Sequence, residues 1–269
     1  MSKMAVHEPA GTAFPPARLE PAQVQPTDSR FHLLHRLPLF ADVPETALMR
    51  LFAKARWRVC AENEVVVDYG DETNDVFFII EGSVRIVLRT VFGYEAILND
   101  LVAGEYFGEL AAIDGSRRSA TVTALTRSRL CVVPAAGFMD LALSTPVFGR
   151  RLLRLLSNRL RSKDERLIEF GALTVRQRVI AELLRLSRDR GGGERVLSPP
   201  PPQHVLAARI GTRRESVSRE LAEMSRAGLL SVGRRAIVLH SPERLREEVD
   251  VRLQGSTRPA SAASAMTAA

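Results

Sequence analysis

The sequence predicts an α+β chain in three parts: an N-terminal body of short β-strands, one long helix, and a C-terminal helix-turn-helix followed by a hairpin. Three observations predict it. Residues 57–133 fall into Val/Ile-rich runs separated by turn residues. From Pro146 onward apolar residues recur three and four apart. Residues 203–239 carry two helical stretches joined at a glycine, then two apolar runs around Gly233-Arg234-Arg235. A length of 269 residues suits two domains, at roughly 100–200 residues each.

Each element follows from local chemistry. Residues 1–29 are rich in Pro, Ala and polar groups without periodicity, and are expected to be a disordered arm. Residues 31–55 have helical spacing broken by Pro38 and Pro44, and Asp42 is expected to cap the helix starting near Pro44. The β runs are WRVC, EVVVDY, DVFFIIEG, SVRIVLRT, YEAILNDL and SATVTALTRSRLCVVP, which together read as a sandwich or barrel. The stretch YFGELAAI is too Ala/Leu-rich for a strand and suits one helical turn set among them.

On the long helix, Leu153, Leu156, Leu160, Lys163, Leu167 and Phe170 form an a/d heptad seam. Such a seam suits a helix paired with a copy of itself; packing on the chain's own β body is the alternative. A lysine on an apolar seam requires a partner or an exit to water. Residues 174–188 continue helical. Gly191-Gly192-Gly193 breaks the chain, and RVLS with Pro199 to Pro202 reads as a strand and a stiff turn. Helices are expected over 203–210 and 213–227, a hairpin over 229–239, and a disordered tail over 250–269.

In QHVLAARIGTRRESVSREL, Gly211 supplies the tight turn. Thr212 is expected to cap the second helix, with Glu215 completing a capping box. Val205, Leu206, Ile210, Val217, Leu221 and Met224 form the face that locks the helices together. Arg213, Arg214, Glu215, Ser218 and Arg219 lie near the second helix's N-terminus, where a recognition helix meets the major groove. Arginine offers guanine two hydrogen bonds, and glutamate accepts from the cytosine amino group. Arg234 and Arg235 at the hairpin tip suit phosphates.

Charge agrees. The chain carries +7 overall, but residues 150–249 carry +10 and the remainder −3. The basic half is the one suited to a polyanion. The only lysines are Lys3, Lys54 and Lys163. Several classes are set aside. There is no apolar run of transmembrane length and no apolar core of a secretory signal at the N-terminus, so a cytoplasmic protein without a membrane partner is expected. Cys60 and Cys131 make neither a disulfide framework nor a metal pair. No P-loop, HExxH or GxSxG occurs, and the five histidines are scattered, so no enzyme and no metal site is expected.

The densest site-like feature of the β half is Phe107-Gly108-Glu109-Leu110 with Arg117-Arg118-Ser119-Ala120-Thr121. Gly108 permits close backbone approach, Arg118 suits a phosphate, Ser119 adds a hydroxyl, and Glu109 can accept from sugar hydroxyls. From residue 31 to 249 the order IIEGSV, GEYFGELAAIDGSRRSATV, the seam helix, LTVRQRVIAELL and RIGTRRESVSREL resembles the cyclic-AMP receptor protein/FNR (CRP/FNR) family of bacterial transcription regulators. The resemblance implies a cyclic-nucleotide-binding β-roll over 30–145, a dimerisation helix over 146–173 and a winged helix-turn-helix over 174–249. It also implies a homodimer that binds double-stranded palindromic DNA and works with RNA polymerase.

Carried over, Gly108 and Glu109 would hold the ribose, with Leu110 beside them, and Arg118 and Ser119 the cyclic phosphate. Arg159 falls at a ligand-side position of the dimerisation helix, and Arg214, Glu215 and Arg219 at the base-reading positions. Where the cyclic-AMP receptor has a Thr-Ser pair facing adenine, this chain has Lys163 and Asp164. The resemblance implies cyclic AMP as the effector, and this departure leaves cyclic GMP or a relaxed choice open. A glycine usual before the third β run is replaced by Asn63. Residues 1–59 contain no Cys, which argues against an Fe–S cluster. Two other readings stay open: the same architecture with another effector or none, and a nucleotide-binding module that docks a protein partner.

Overall fold

The computed structural model describes residues 19–21, 34–35, 37–89 and 95–253. Its packing divides the chain into two units, Met1–Ile86 with Asp100–Arg151, and Val87–Asn99 with Leu152–Ala269. Among the described residues, no helix is long and apolar enough to cross a membrane.

The first unit opens with strand β1 (Leu19–Pro21), a 3-10 turn (Pro38–Phe40) and helix α1 (Glu45–Phe52). Strands β2 (Arg56–Cys60), β3 (Val65–Val67), β4 (Val76–Glu81), β5 (Ser83–Arg89), β6 (Glu95–Val102) and β7 (Tyr106–Phe107) follow. Helix α2 (Glu109–Asp114) separates them from β8 (Thr121–Ala124) and β9 (Ser128–Val133). Helices α3 (Ala135–Ser144) and α4 (Pro146–Ala172) come next. The strands form two sheets, in the orders β1-β2-β9-β4-β7 and β3-β8-β5-β6.

Strand β4 explains why the roll holds together. It is a continuous apolar run, and such a run is stable only when both of its faces are covered. Phe77 and Ile79 point into the roll core with Val84, Leu101 and Leu130. Phe78 points the other way, its ring centroid 5.0 Å from that of Phe40 and 6.4 Å from that of Phe138. Phe148 at the start of α4 completes this aromatic layer, stacked on Phe40 at 5.7 Å. Antiparallel pairing sets Cys131 of β9 opposite both Trp57 and Phe78. Both cysteines are free and buried. Burial pushes the Cys60 thiol up to about 11, so it is protonated and inert at neutral pH.

The second unit contains most of α4, helix α5 (Val175–Leu186), strands β10 (Arg188–Gly191) and β11 (Glu194–Leu197), helices α6 (Gln203–Ile210) and α7 (Arg214–Arg226), strands β12 (Leu230–Val232) and β13 (Ile237–Leu239), and helix α8 (Pro242–Leu253). Ile180, Leu183, Val217, Met224 and Leu239 form its core. The sheet order is β10-β11-β13-β12. Val87 and Ile97 share a small apolar cluster with Val205.

Several expectations need correcting. Within residues 1–29, expected as a disordered arm, Leu19–Pro21 pair with Arg56–Arg58 as an edge strand; the rest of that segment lies outside the described residues. Asp42 does not cap α1: the N-cap is Pro44, and Asp42 sits at φ 60° and pairs with Arg151 at 2.9 Å. The N-cap of α7 is Arg213, which makes no side-chain capping bond, and not Thr212. The capping box of the second unit lies instead at Thr174 and Gln177 of α5, on a sequence read only as continuing helix. Helix α8 runs through Leu253, past the expected start of the tail, and residues 254–269 lie outside the described residues. Asn63 does adopt φ 65° in the glycine's place.

Two measurements check this packing. Phe78→Ala should destabilise the first unit by about 3–5 kcal/mol in urea unfolding, because a fully buried ring leaves a cavity. Thr174→Ala, which removes only a cap, should cost about 1 kcal/mol.

Candidate functional site

In the first unit the site forms where β7 turns into α2. Gly108, the residue between them, has φ 86°. A Cβ there would lie 2.7 Å from Arg118 Nη1 and 2.8 Å from the Asp75 carbonyl oxygen. Both the backbone conformation and the space require glycine.

Arg118 is only 3% exposed. Its Nε donates to Thr73 Oγ1 at 3.1 Å, Nη1 to the Gly108 carbonyl at 3.1 Å, and Nη2 to the Asp75 carbonyl at 2.8 Å. Its guanidinium carbon lies 5.4 Å from the Phe77 ring centroid, and Phe77 stacks on Phe107. Burial pulls the guanidinium below its ordinary value, while Asp75, Asp71 and Glu109 hold it up from a distance. All three hydrogen-bond acceptors are neutral oxygens. A guanidinium has five N–H donors, and these bonds use three of them.

The loop over residues 68–75 frames this arginine. Arg118 N donates to the Asp71 carbonyl at 2.9 Å, and Gly70 N to the Arg118 carbonyl at 2.8 Å. Thr121 Oγ1 donates to Asp68 at 2.5 Å. The Asp75 carboxylate pairs with Arg56 at 2.6 Å, which leaves its carbonyl to Arg118. Thr73 and Asp75 carry no sign of this role in the sequence. A polar loop gives no local sign that its carbonyls hold an arginine from 43 residues away. Glu109 is buried at 5%, whereas Leu110 and Ser119 are exposed. The structure thus brings Gly108 against Arg118, with Glu109 near enough to act on its charge, while Leu110 and Ser119 follow these residues in the chain.

Arg159, Lys163 and Asp164 lie on α4 in the second unit. Lys163 and Asp164 are exposed. Along the seam, Leu153 is 66% exposed, Leu160 64% and Leu167 71%. An apolar stripe this open on a long helix is what a helix–helix partner covers.

The helix-turn-helix is built as its sequence implies. Gly211 ends α6 at φ 62°, and the buried faces of α6 and α7 meet through Leu206, Ile210, Val217 and Leu221. Arg213, Arg214, Glu215, Ser218 and Arg219 are exposed, as are Arg234 and Arg235 between β12 and β13. Arg214, Glu215, Ser218 and Arg219 line one groove with Gln203 and Ala222. This face carries both hydrogen-bond donors and an acceptor, the two kinds of group that base edges pair with.

Residues 57–145 match the family model for a cyclic nucleotide-binding domain, and residues 177–248 that for a Crp-like helix-turn-helix domain. The chain is 26% identical over 216 residues to a CRP-like cAMP-activated global transcriptional regulator of Mycobacterium tuberculosis, spanning 79% of this chain and 96% of that protein. It is 29% identical over 196 residues to the cyclic AMP receptor protein of Thermus thermophilus, covering 73% and 89% of the two chains. A solved CRP/FNR-family regulator from Thermus thermophilus superposes with a TM-score of 0.59 at 25% identity, covering 73% of this chain and 99% of that one. FixK2 from Bradyrhizobium japonicum shares the fold, with a TM-score of 0.62 at 21% identity over 72% and 96% of the two chains. A β-roll, a long helix and a helix-turn-helix, in that order and with both family models matched, place the chain in the CRP/FNR family of transcription regulators.

Proposed function

We propose that the chain works as a homodimer that binds a cyclic nucleotide, cyclic AMP first among them, in each β-roll and reads palindromic DNA with two α7 helices. One observation carries the effector reading. Arg118 is a buried cation whose hydrogen bonds, among the described residues, all go to neutral oxygens. A buried charge is costly until an opposite charge joins it. A cyclic phosphate supplies one charge and oxygen acceptors for the two remaining N–H groups. Ser119 adds a donor beside it, and Glu109 an acceptor for a ribose hydroxyl. The exposed leucines of the seam support the dimer. In a two-fold dimer the α7 helices would address half-sites about one DNA turn apart, roughly 34–36 Å.

A second reading keeps the architecture and changes the effector. It rests on Lys163 and Asp164, which put two charged groups where an adenine-selective pair is expected. Those charges suit a base or ligand with complementary edges, and calorimetry separates the cases. Cyclic AMP should give measurable heat with the full chain, and Arg118→Ala should weaken binding by about 100-fold, the loss of a charge-assisted bidentate contact. No heat with either cyclic AMP or cyclic GMP would overturn the first reading. Gly108→Ala should fail in the same assay, since the added methyl displaces Arg118.

On the DNA side, Arg214→Ala should cost about 1–3 kcal/mol on the preferred sequence and relax specificity at one base pair. Arg235→Ala should weaken all sequences alike and lower the salt slope by about one. Binding that prefers no palindrome at any salt concentration would favour a protein-docking role.

A further inference from the structure

One cluster in the second unit belongs neither to the effector cassette nor to the groove-facing residues. Glu182 on α5 has a side chain only 1% exposed. Three arginines converge on it, one each from α4, α5 and α6. Arg166 of α4 donates to Glu182 Oε2 at 2.6 Å, and Arg209 of α6 to Oε1 at 3.3 Å. Arg185, one turn along α5, also binds Oε2 and reaches Glu169 of α4. Burial alone would raise the Glu182 carboxyl, but Arg166, then Arg185 and Arg209, outweigh it and hold the group below the usual carboxylate range.

Arg166 does more than pair. Its other terminal nitrogen donates to the Arg209 carbonyl at 2.7 Å, at the end of α6. Arg178 of α5 donates to the next carbonyl, Ile210, at 2.9 Å. The guanidiniums of Arg166 and Arg178 both lie against the Phe170 ring, at 5.6 and 5.8 Å from its centroid. That ring is seated on Gly211, the turn of the helix-turn-helix, where a Cβ would come within 3.2 Å of it. The last two turns of the seam helix are therefore fastened to the turn from which the recognition helix starts. The planar fork of Arg166 lets one terminal nitrogen bind the carboxylate and the other the carbonyl, in a fixed relation.

We propose that Glu182, through Arg166 and Arg209, is the positioning residue that fixes the helix-turn-helix to the seam helix and so sets the half-site spacing the dimer accepts. The lever is short but sufficient. Arg214 and Arg219 lie within about 10 Å of the Gly211 turn, so a tilt of about 10° there moves them by about 1–2 Å, enough to spoil a bidentate contact with a base edge. A loosened junction would let the two recognition helices meet half-sites at several spacings. This inference rests on the DNA-binding reading above.

The test uses the full chain with cyclic AMP and a duplex library of randomised palindromic half-sites with central spacers of different lengths. Wild-type protein should prefer one spacer by at least about tenfold. Glu182→Gln and Arg166→Gln should flatten that preference to less than about threefold, while affinity for an isolated half-site duplex stays within about twofold. Arg166 is partly exposed on α4, so its variant serves if the buried Glu182→Gln does not fold. Variants that keep the spacing preference while melting earlier would show a purely stabilising cluster and overturn the inference. So would a parallel fall in half-site and palindrome binding. A wild-type protein that binds palindromes with no spacing preference defeats the inference alone; one that binds no duplex defeats the DNA reading and the inference with it.

Discussion

The burial of the Arg118 guanidinium is the constraint around which the β-roll is arranged. A cation in a low-dielectric interior must be solvated by the chain. Here the solvation is done by Thr73 Oγ1 and the carbonyls of Gly108 and Asp75, with the Phe77 ring on one flank. Each of these has a consequence. The carbonyl of Gly108 can face Arg118 only because residue 108 has no side chain. Asp75 is tied at both ends, its carboxylate to Arg56 and its carbonyl to Arg118. Phe77 is held by its stack on Phe107 and by β4 being buried on both faces. Neutral oxygens lower the cost of the charge without cancelling it, and the carboxylates of Asp75, Asp71 and Glu109 act on it only from a distance.

The second unit solves the same problem in the opposite way. There the buried charge is a carboxylate, Glu182, and the chain surrounds it with an excess of arginine. A buried ion cluster adds little net stability, because desolvation offsets much of the attraction, but removing one member typically costs about 3–5 kcal/mol. Its physical contribution is directional. The cluster is satisfied in one arrangement of α4, α5 and α6, whereas an apolar contact of equal area would tolerate sliding. The +10 carried by residues 150–249 thus divides between exposed arginines on the groove face and arginines committed to internal bonds. Charge counting alone would credit all of them to a polyanion.

What the sequence made legible was whatever depends on near neighbours. The Val/Ile runs and their turns became strands, the glycine of RIGTRRES became the helix-turn-helix turn, and heptad spacing marked a seam whose leucines stand exposed. Gly108 and Arg118 were legible as a pair because they lie ten residues apart at the ends of one short helix and loop. The misses share a cause as well. Thr212 and Glu215 have capping-box spacing, but Arg213 is extended and α7 begins one residue later. Asp42 looks like a cap, yet its carboxylate is taken by Arg151, 109 residues away. Thr73, Asp75 and Glu182 act through partners 16 to 45 residues distant, and no local pattern announces such contacts. Strand β10, with the sequence RDRG and every residue exposed, carries no strand signal; pairing with β11 alone makes it one.

Helix α4 is the one element on which the proposed roles meet. Lys163 and Arg166, which holds Glu182, are three residues apart and therefore neighbours on one helix face. Leu160 and Leu167, one step away on either side, belong to the seam. A rigid helix cannot shift at one of these points without shifting at the others, since each residue advances only about 1.5 Å along the axis. An effector that contacts Lys163 or Asp164 would act on the same turn of helix that anchors the DNA-reading module. It can bias the dimer only by the difference in its affinity for two arrangements of that turn. A tenfold difference corresponds to about 1.4 kcal/mol, more than one exposed ion pair usually supplies, so such a bias would draw on several contacts at once. Lys163 and Asp164 stand three and two residues before Arg166, so on the proposed reading an effector that touched them would act on the turn that holds Glu182.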